Sequence, residues 1–253
     1  KSIAVLPFRN DSPDSTNQYF IDGTMEAILD NLCKISDLTV VSRTSVEQFR
    51  ETAKPVREIA KRLNVNYILE GSGQKSENEI RFTVQLIDAN KDKHIWSYPY
   101  EGEATDIFKL ESRIAESIAA KLKVLISSEE KQLIEKNPSI SLTAYDFYQR
   151  GREEYWKFWS DNTNRGALKK AELFYRRALN YDSSFAQAIS GLAWVYYYNQ
   201  LNSDYFSENF MDSVLVLANI AGSYDNQLSE VYTLRGAYHH QKGESKLAIE
   251  EYH

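Results

Sequence analysis

Ile80-Arg81-Phe82-Thr83-Val84-Gln85-Leu86 alternates apolar and polar side chains without a break. A period of two places every second residue on the same side of an extended chain, so this stretch reads as a strand with one buried and one wet face. The flanks extend the pattern. Tyr67-Ile68-Leu69 precedes it across a turn near Ser76-Glu77-Asn78, and a polar turn from Asp88 to Lys93 follows. His94, Trp96, Tyr98 and Tyr100 then read as one face of a further strand. Together these segments predict an antiparallel meander.

Towards the amino end the signals change. Ile3-Ala4-Val5-Leu6 is a continuous apolar run closed by Pro7, as suits a strand covered on both faces. Met25, Ile28, Leu29, Leu32 and Ile35 recur at helical spacing, with Asp22 or Gly23 as candidate caps. Leu38-Thr39-Val40-Val41 reads as a strand, and Pro55 opens a helix carrying Ile59, Ala60 and Leu63. Past the meander, Ile107, Leu110, Ile114, Ile118, Leu122 and Leu125 form the buried stripe of a long helix capped by Thr105. Residues 1–127 are therefore expected to form an α/β domain with a mixed sheet.

Residues 128–142 read as a linker or helical connection, and beyond them the strand signals vanish. Of the 17 tyrosines, 13 lie past residue 140. Gly151, Ala193 and Gly236 each sit in an apolar helix, 42 and 43 residues apart, and each is followed by a second helix. Small residues are needed where two helix axes approach closely, and they mark the crossings. About eight extra residues around Ser160 to Arg165 enlarge the first repeat, while the second helix of the middle repeat spans about Asp212 to Ala221. Residues 143–253 are thus an all-α helical-repeat domain of about 2.5 repeats. The chain starts at Lys1 and stops at His253 within a helical pattern, so it reads as a piece of a longer protein.

The helical part resembles tetratricopeptide repeats, through Ala171-x6-Ala178-Leu179-x2-Asp182 and Gly236-x6-Gly243-x4-Ala248. It departs from them in its insertions and in Ser183, where a proline commonly ends the repeat. The front part is similar to the amino-terminal domain named after TolB. The residues that carry this likeness include Ser2 to Phe8, Tyr19-Phe20-x-Asp22-Gly23, Ser42-Arg43-Thr44-Ser45, Tyr67 to Ser72, Gln85 to Ala89, Trp96 and Asp106-Ile107-Phe108. The resemblance implies a bacterial regulatory or sensory module without chemistry of its own, joined in relatives to a DNA-binding or nucleotide-cyclase output.

Composition sets further bounds. A single cysteine excludes an internal disulfide. Cys33 flanks the apolar stripe and is expected to be a small buried hydrophobe. No segment approaches the ~18–20 apolar residues needed to cross a bilayer, so any membrane tether lies outside the segment. The net charge of −6 divides evenly, with 19 basic and 22 acidic side chains in residues 1–140 and 11 and 14 beyond. No basic surplus of the kind that binds nucleic acid is visible, so direct nucleic-acid binding is not expected.

Candidate chemical sites resolve into structural features. Gly71-Ser72-Gly73-Gln74-Lys75-Ser76 lacks the spacing and the following helix of a phosphate loop, and reads as a turn entering a hairpin. His239 and His240 point about 100° apart on a helix and cannot share one metal ion. Asp22, Asp88 and Asp106 are explained by caps and turns. No catalytic set, metal site or cofactor is expected, and the chain is not expected to be an enzyme.

The surface expected to do work is the groove lined by the first helix of each repeat. Tyr148, Arg152, Tyr155 and Trp156 would line it in the first repeat, Trp194, Tyr197 and Tyr198 in the second, and Ala237 and His240 in the third. Aromatic and Arg side chains are the usual anchors of protein interfaces. The expected function is a non-catalytic regulatory module that binds a protein or peptide partner. The alternative is a small-molecule sensor, its ligand held at the junction of the two domains by the strand Trp96 to Tyr100 and by Trp156 and Trp159.

Overall fold

The computed structural model describes residues 1–50, 52–201 and 210–253. The chain divides into two units, Lys1–Asn137 and Pro138–His253. The first is a mixed α/β unit and the second is helical. Residues 202–209, inside the region expected to hold helical repeats, lie outside the described residues.

The amino-terminal unit holds six strands: β1 (Ser2–Val5), β2 (Arg9–Asn10), β3 (Thr39–Val40), β4 (Tyr67–Ser76), β5 (Glu79–Asp88) and β6 (Lys93–Glu103). Their order is β3-β1-β4-β5-β6, with β2 beside β4. β1 runs parallel to β3 and β4, whereas β4, β5 and β6 pair antiparallel. Helices α1 (Gln18–Cys33), α2 (Arg43–Glu47), α3 (Val56–Leu63), α4 (Ile107–Leu122) and α5 (Ser128–Glu135) complete it.

The two halves of the sheet differ in burial, and the sequence pattern shows why. β1 is buried on both faces: Ala4 joins Val46 of α2, Phe49 just beyond it, Ile59 and Ala60 of α3, and Ile68 and Ile87 in one core cluster. Along β5, Ile80, Phe82, Val84 and Leu86 are buried and Arg81 and Thr83 exposed, so alternation holds where one face meets water. It stops at Ile87, which is buried as well because the α2–α3 layer covers the second face there.

Several local expectations are corrected. Gly71 to Ser76 is not a turn but the second half of β4. Its glycines give room to aromatic rings: a Cβ on Gly73 would lie 2.7 Å from Ile21 Cδ1 and against the Phe82 ring. The strand register shifts between Leu86 and Ile87, pairing Leu86 with Trp96 but Ile87 with His94. Neighbours on β5 face opposite ways, so this bulge removes His94 from the face of Trp96, Tyr98 and Tyr100. Cys33 is exposed rather than buried, because it is the last residue of α1 and falls beyond the stripe. A 3-10 turn at Ala104–Asp106 replaces the Thr105 cap, and α4 starts at Ile107.

The stretch 128–142 divides between the units. Ser127 and Glu130 form a reciprocal capping box at the start of α5. The Glu130 carboxylate also accepts from the Ser36 backbone N–H at 2.8 Å. These backbone hydrogen bonds hold its pKa down to about 2. Ser112 Oγ donates to the Ile134 carbonyl at 2.8 Å, which fixes α5 on α4.

The carboxyl-terminal unit contains α6 (Leu142–Ser160), α7 (Arg165–Tyr181), α8 (Ala186–Leu201), α9 (Phe210–Tyr224), α10 (Ser229–Gln241) and α11 (Ser245–Tyr252). They pack in sequential pairs, α6 on α7, α8 on α9 and α10 on α11. The extra residues of the first repeat lengthen α6 and α7, leaving only 161–164 between them. The second helix of the middle repeat is likewise longer than expected.

Candidate partner-binding face

The first helices of the three pairs form one layer, since α6 touches α8 and α8 touches α10. Its geometry rests on one ring. Tyr175 of α7 is 2% exposed and fills the space beside Gly151 of α6 and Gly191 of α8. A Cβ on either glycine would come within 2.6–2.7 Å of that ring. Gly151 was legible as a crossing point; Gly191, two residues before Ala193, was not. The third pair repeats the device. Ala171 and Tyr175 on α7 correspond to Ala248 and Tyr252 on α11, and the Tyr252 ring lies against Gly236.

Closed by such wedges, α6 and α8 bring a group of rings together. Tyr198 lies at its centre, with ring centroids 6.1 Å from Tyr155, 5.5 Å from Phe158 and 5.8 Å from Trp159 on α6. On its own helix it lies 6.1 Å from Trp194 and 5.5 Å from Tyr197. Offset and edge-on pairs at these separations add about 0.5–1.5 kcal/mol each beyond burial. Burial, with help from Tyr198 and Tyr175, pushes the Tyr155 phenol far above its ordinary pKa. Gln241 Nε2 of α10 donates to the Tyr197 hydroxyl at 3.4 Å and extends the group to the third pair.

The structure therefore brings four expected residues together: Tyr155, Trp194, Tyr197 and Tyr198. It adds Phe158 and Trp159, whose spacing of three and four from Tyr155 is the available sequence signal. The others differ in exposure and contacts. Tyr148 is buried and packs on Phe185 at 4.8 Å, so packing occupies it. Arg152 lies over the Tyr148 ring at 5.4 Å. Trp156 is half-buried, and His240 is exposed while Gln241 makes the contact from α10. His239 pairs with Glu244 at 2.6 Å.

The turn between the first two pairs is locked by a carboxylate. Asp182 accepts from Ser139 Oγ at 2.6 Å, Ile140 N at 3.1 Å, Ser184 Oγ at 2.7 Å and Ser184 N at 3.0 Å. Burial opposes ionisation here, but the hydrogen bonds prevail and hold the carboxyl below its usual range. Asp225 repeats the position 43 residues later and accepts from Gln227 N at 3.2 Å.

Sequence reasoning missed a second buried cluster, in the amino-terminal unit. Asp22 is not a cap, because α1 starts at Gln18 and carries it inside. Its carboxylate accepts from Arg50 Nη1 at 2.9 Å and from Gln18 Nε2 at 2.8 Å. Arg43 Nη2 lies 3.9 Å away and also pairs with Glu26. Asp22, Glu26 and Arg43 are each less than a tenth exposed. Burial raises the Asp22 pKa against the pull of Arg50 and Arg43. The Asp22-Gly23 and Ser42-Arg43 motifs thus meet as a structural ion cluster that ties α2 to α1.

Comparison with known proteins bears on this architecture. Residues 1–117 match the family model of HilA/YgeH-like transcriptional regulators, second domain. A Rhizobium meliloti (strain 1021) protein named "Putative adenylate cyclase 3" is 32% identical over 192 residues, covering 76% of this chain. The chain spans 32% of the length of that relative. Among solved structures, TolB from Acinetobacter baumannii superposes with a TM-score of 0.36 at 16% identity, over 48% of this chain and 28% of that one. Lipoprotein GNA1162 from Neisseria meningitidis gives 0.37 at 19% identity, over 47% and 96%. The amino-terminal part of the chain is accordingly similar to a domain of transcriptional regulators.

Proposed function

We propose that this chain is a non-catalytic regulatory segment of a bacterial signalling or transcription-regulatory protein, and that its helical unit binds a protein or peptide partner. The similarity of residues 1–117 to a regulator domain supports the regulatory part of this reading. The observation that carries the binding part is the ring group on α6 and α8. Trp159 at its edge keeps 48% of its surface exposed, and Trp194 and Tyr197 are half-buried. Large stiff rings lose little conformational freedom on binding, which suits them as anchors. In this reading the helix pairs are tetratricopeptide repeats, and the amino-terminal unit supports or relays.

The test uses peptides selected from a random library on the immobilised 253-residue chain. Trp194→Ala and Tyr197→Ala are each expected to weaken the selected peptides by tenfold or more, as about 2 kcal/mol at an interface anchor requires. Tyr100→Ala, in the other unit, should leave binding unchanged. Undiminished capture by both helical variants overturns the reading.

A further inference from the structure

The net charge divides evenly between the two halves of the sequence, but one helix is locally basic. α7 carries five basic residues and one acidic residue, in a chain whose net charge is −6. Ala167, Leu168, Ala171, Tyr175 and Ala178 form its buried side. On the opposite side Lys169, Leu173, Arg176 and Asn180 follow one another at helical spacing, flanked by Lys170, Arg177 and Tyr181. All seven are exposed; Leu173 retains 48% of its surface and Tyr181 57%. From Lys169 to Tyr181 the strip is about 18 Å long at 1.5 Å per residue.

Two carboxylates border this strip. Glu172 takes Arg176 at 3.0 Å, and Glu154 of α6 lies 4.0 Å from Lys170. Arg177 lies over the Phe147 ring at 5.7 Å. The strip thus presents four cations around two exposed apolar side chains, on a helix distinct from those that carry the ring group.

We propose that this face of α7 docks an acidic peptide segment of a partner protein. Carboxylates of the segment meet Lys169, Lys170, Arg176 and Arg177, and an apolar side chain seats against Leu173 and Tyr181. Charge complementarity selects the acid, because Arg forks match carboxylates in two-point geometry. The apolar centre favours a peptide over a nucleic-acid duplex, which turns its phosphate backbone outward and keeps its bases stacked inside.

Fluorescence anisotropy of a labelled 12-residue Glu/Leu peptide, titrated with the 253-residue chain at 50 and 300 mM NaCl, tests the proposal. Binding is expected at low salt and should weaken about tenfold at the higher salt, where charges are screened over only a few ångströms. The K169E/R177E variant should lose about tenfold or more, and Leu173→Ser about threefold. K169Q/R177Q should fall between wild type and the reversal, with circular dichroism confirming that all variants stay helical. Trp194→Ala and Tyr197→Ala should keep the peptide, which separates this face from the ring group. Equal binding of the peptide by wild type and K169E/R177E, no binding at low salt, or tighter binding of a 20-base-pair DNA duplex overturns it.

Discussion

The two units keep different things inside. In the α/β unit the buried polar side chains include Asp22, Glu26, Arg43 and Glu111, all ionisable. In the helical unit, among the described residues, they are Ser139, Gln149, Ser190 and one ionisable group, Asp182. Both units bury rings, Phe8, Tyr19, Phe20, Phe49 and Phe82 in the first and Tyr145, Tyr148, Phe158, Tyr175 and Phe185 in the second. A buried charge is tolerated only while its partners are in place, and its removal leaves the others uncompensated. A ring wedged between two helices needs a glycine where it meets their backbone, as Tyr175 does at Gly151 and Gly191. The buried charge of the first unit therefore depends on pairing, and the helix crossings of the second depend on shape.

Each kind of interior predicts its own failure, readable by unit-resolved hydrogen exchange of the whole chain. Arg43→Met should have the largest effect, with the α/β unit losing about 3–5 kcal/mol because buried Glu26 loses its Arg43 partner and Asp22 keeps Arg50 alone of its two arginines. Tyr175→Ala should cost the helical unit about the same or slightly less, about 3–4 kcal/mol, by emptying the space between Gly151 and Gly191. Protection of the α/β unit should not change. Equal loss in both units would erase the distinction.

Smaller changes sharpen it. Gly191→Ala gains up to about 1 kcal/mol of helix propensity but crowds the Tyr175 ring, at a cost of about 1–3 kcal/mol, so net destabilisation is expected. Asp182→Asn should cost about 1–3 kcal/mol at neutral pH. The folded Asp182 has a depressed pKa, so its contribution is present above the ordinary carboxylate pKa and lost as pH falls through the folded value. The penalty of the variant should therefore shrink below about pH 4. Asp22 behaves oppositely: its folded pKa is raised, so lowering the pH into the range just above 4 favours the folded form at that site. Least of all, Ser141→Ala removes the side chain that accepts from Ala144 N at the start of α6 and should cost about 1 kcal/mol.

Periodicity disclosed most of the fold because it reports burial. The alternation of β5 and the helical stripes of α1 and α4 each mark one covered face. What stayed hidden depends on contacts between distant segments. Nothing local in Leu86-Ile87 announces a bulge opposite Ile95, and Gly71-Ser72-Gly73 reads as a turn until Phe8, Ile21 and Phe82 are seen above it. Asp22 and Arg43 stand 21 residues apart, and only the packing of α2 on the rest of the unit shows that they share a cluster. At the candidate face, Tyr155, Trp194, Tyr197 and Tyr198 were legible as aromatics on first helices. Tyr148 was not separable from them, since only about two turns of α6 lie between the ring that meets Phe185 and the ring that meets Tyr198.

The central claim is that the ring-bearing layer of first helices receives a partner. Hydrogen exchange of the intact chain, with and without a library-selected peptide, tests it most directly. Slowed exchange concentrated in residues 152–160 and 190–201, with β4 to β6 unaffected, is the predicted result. Slowing confined to residues 67–103, or no change in α6 and α8 at saturating peptide, would contradict it.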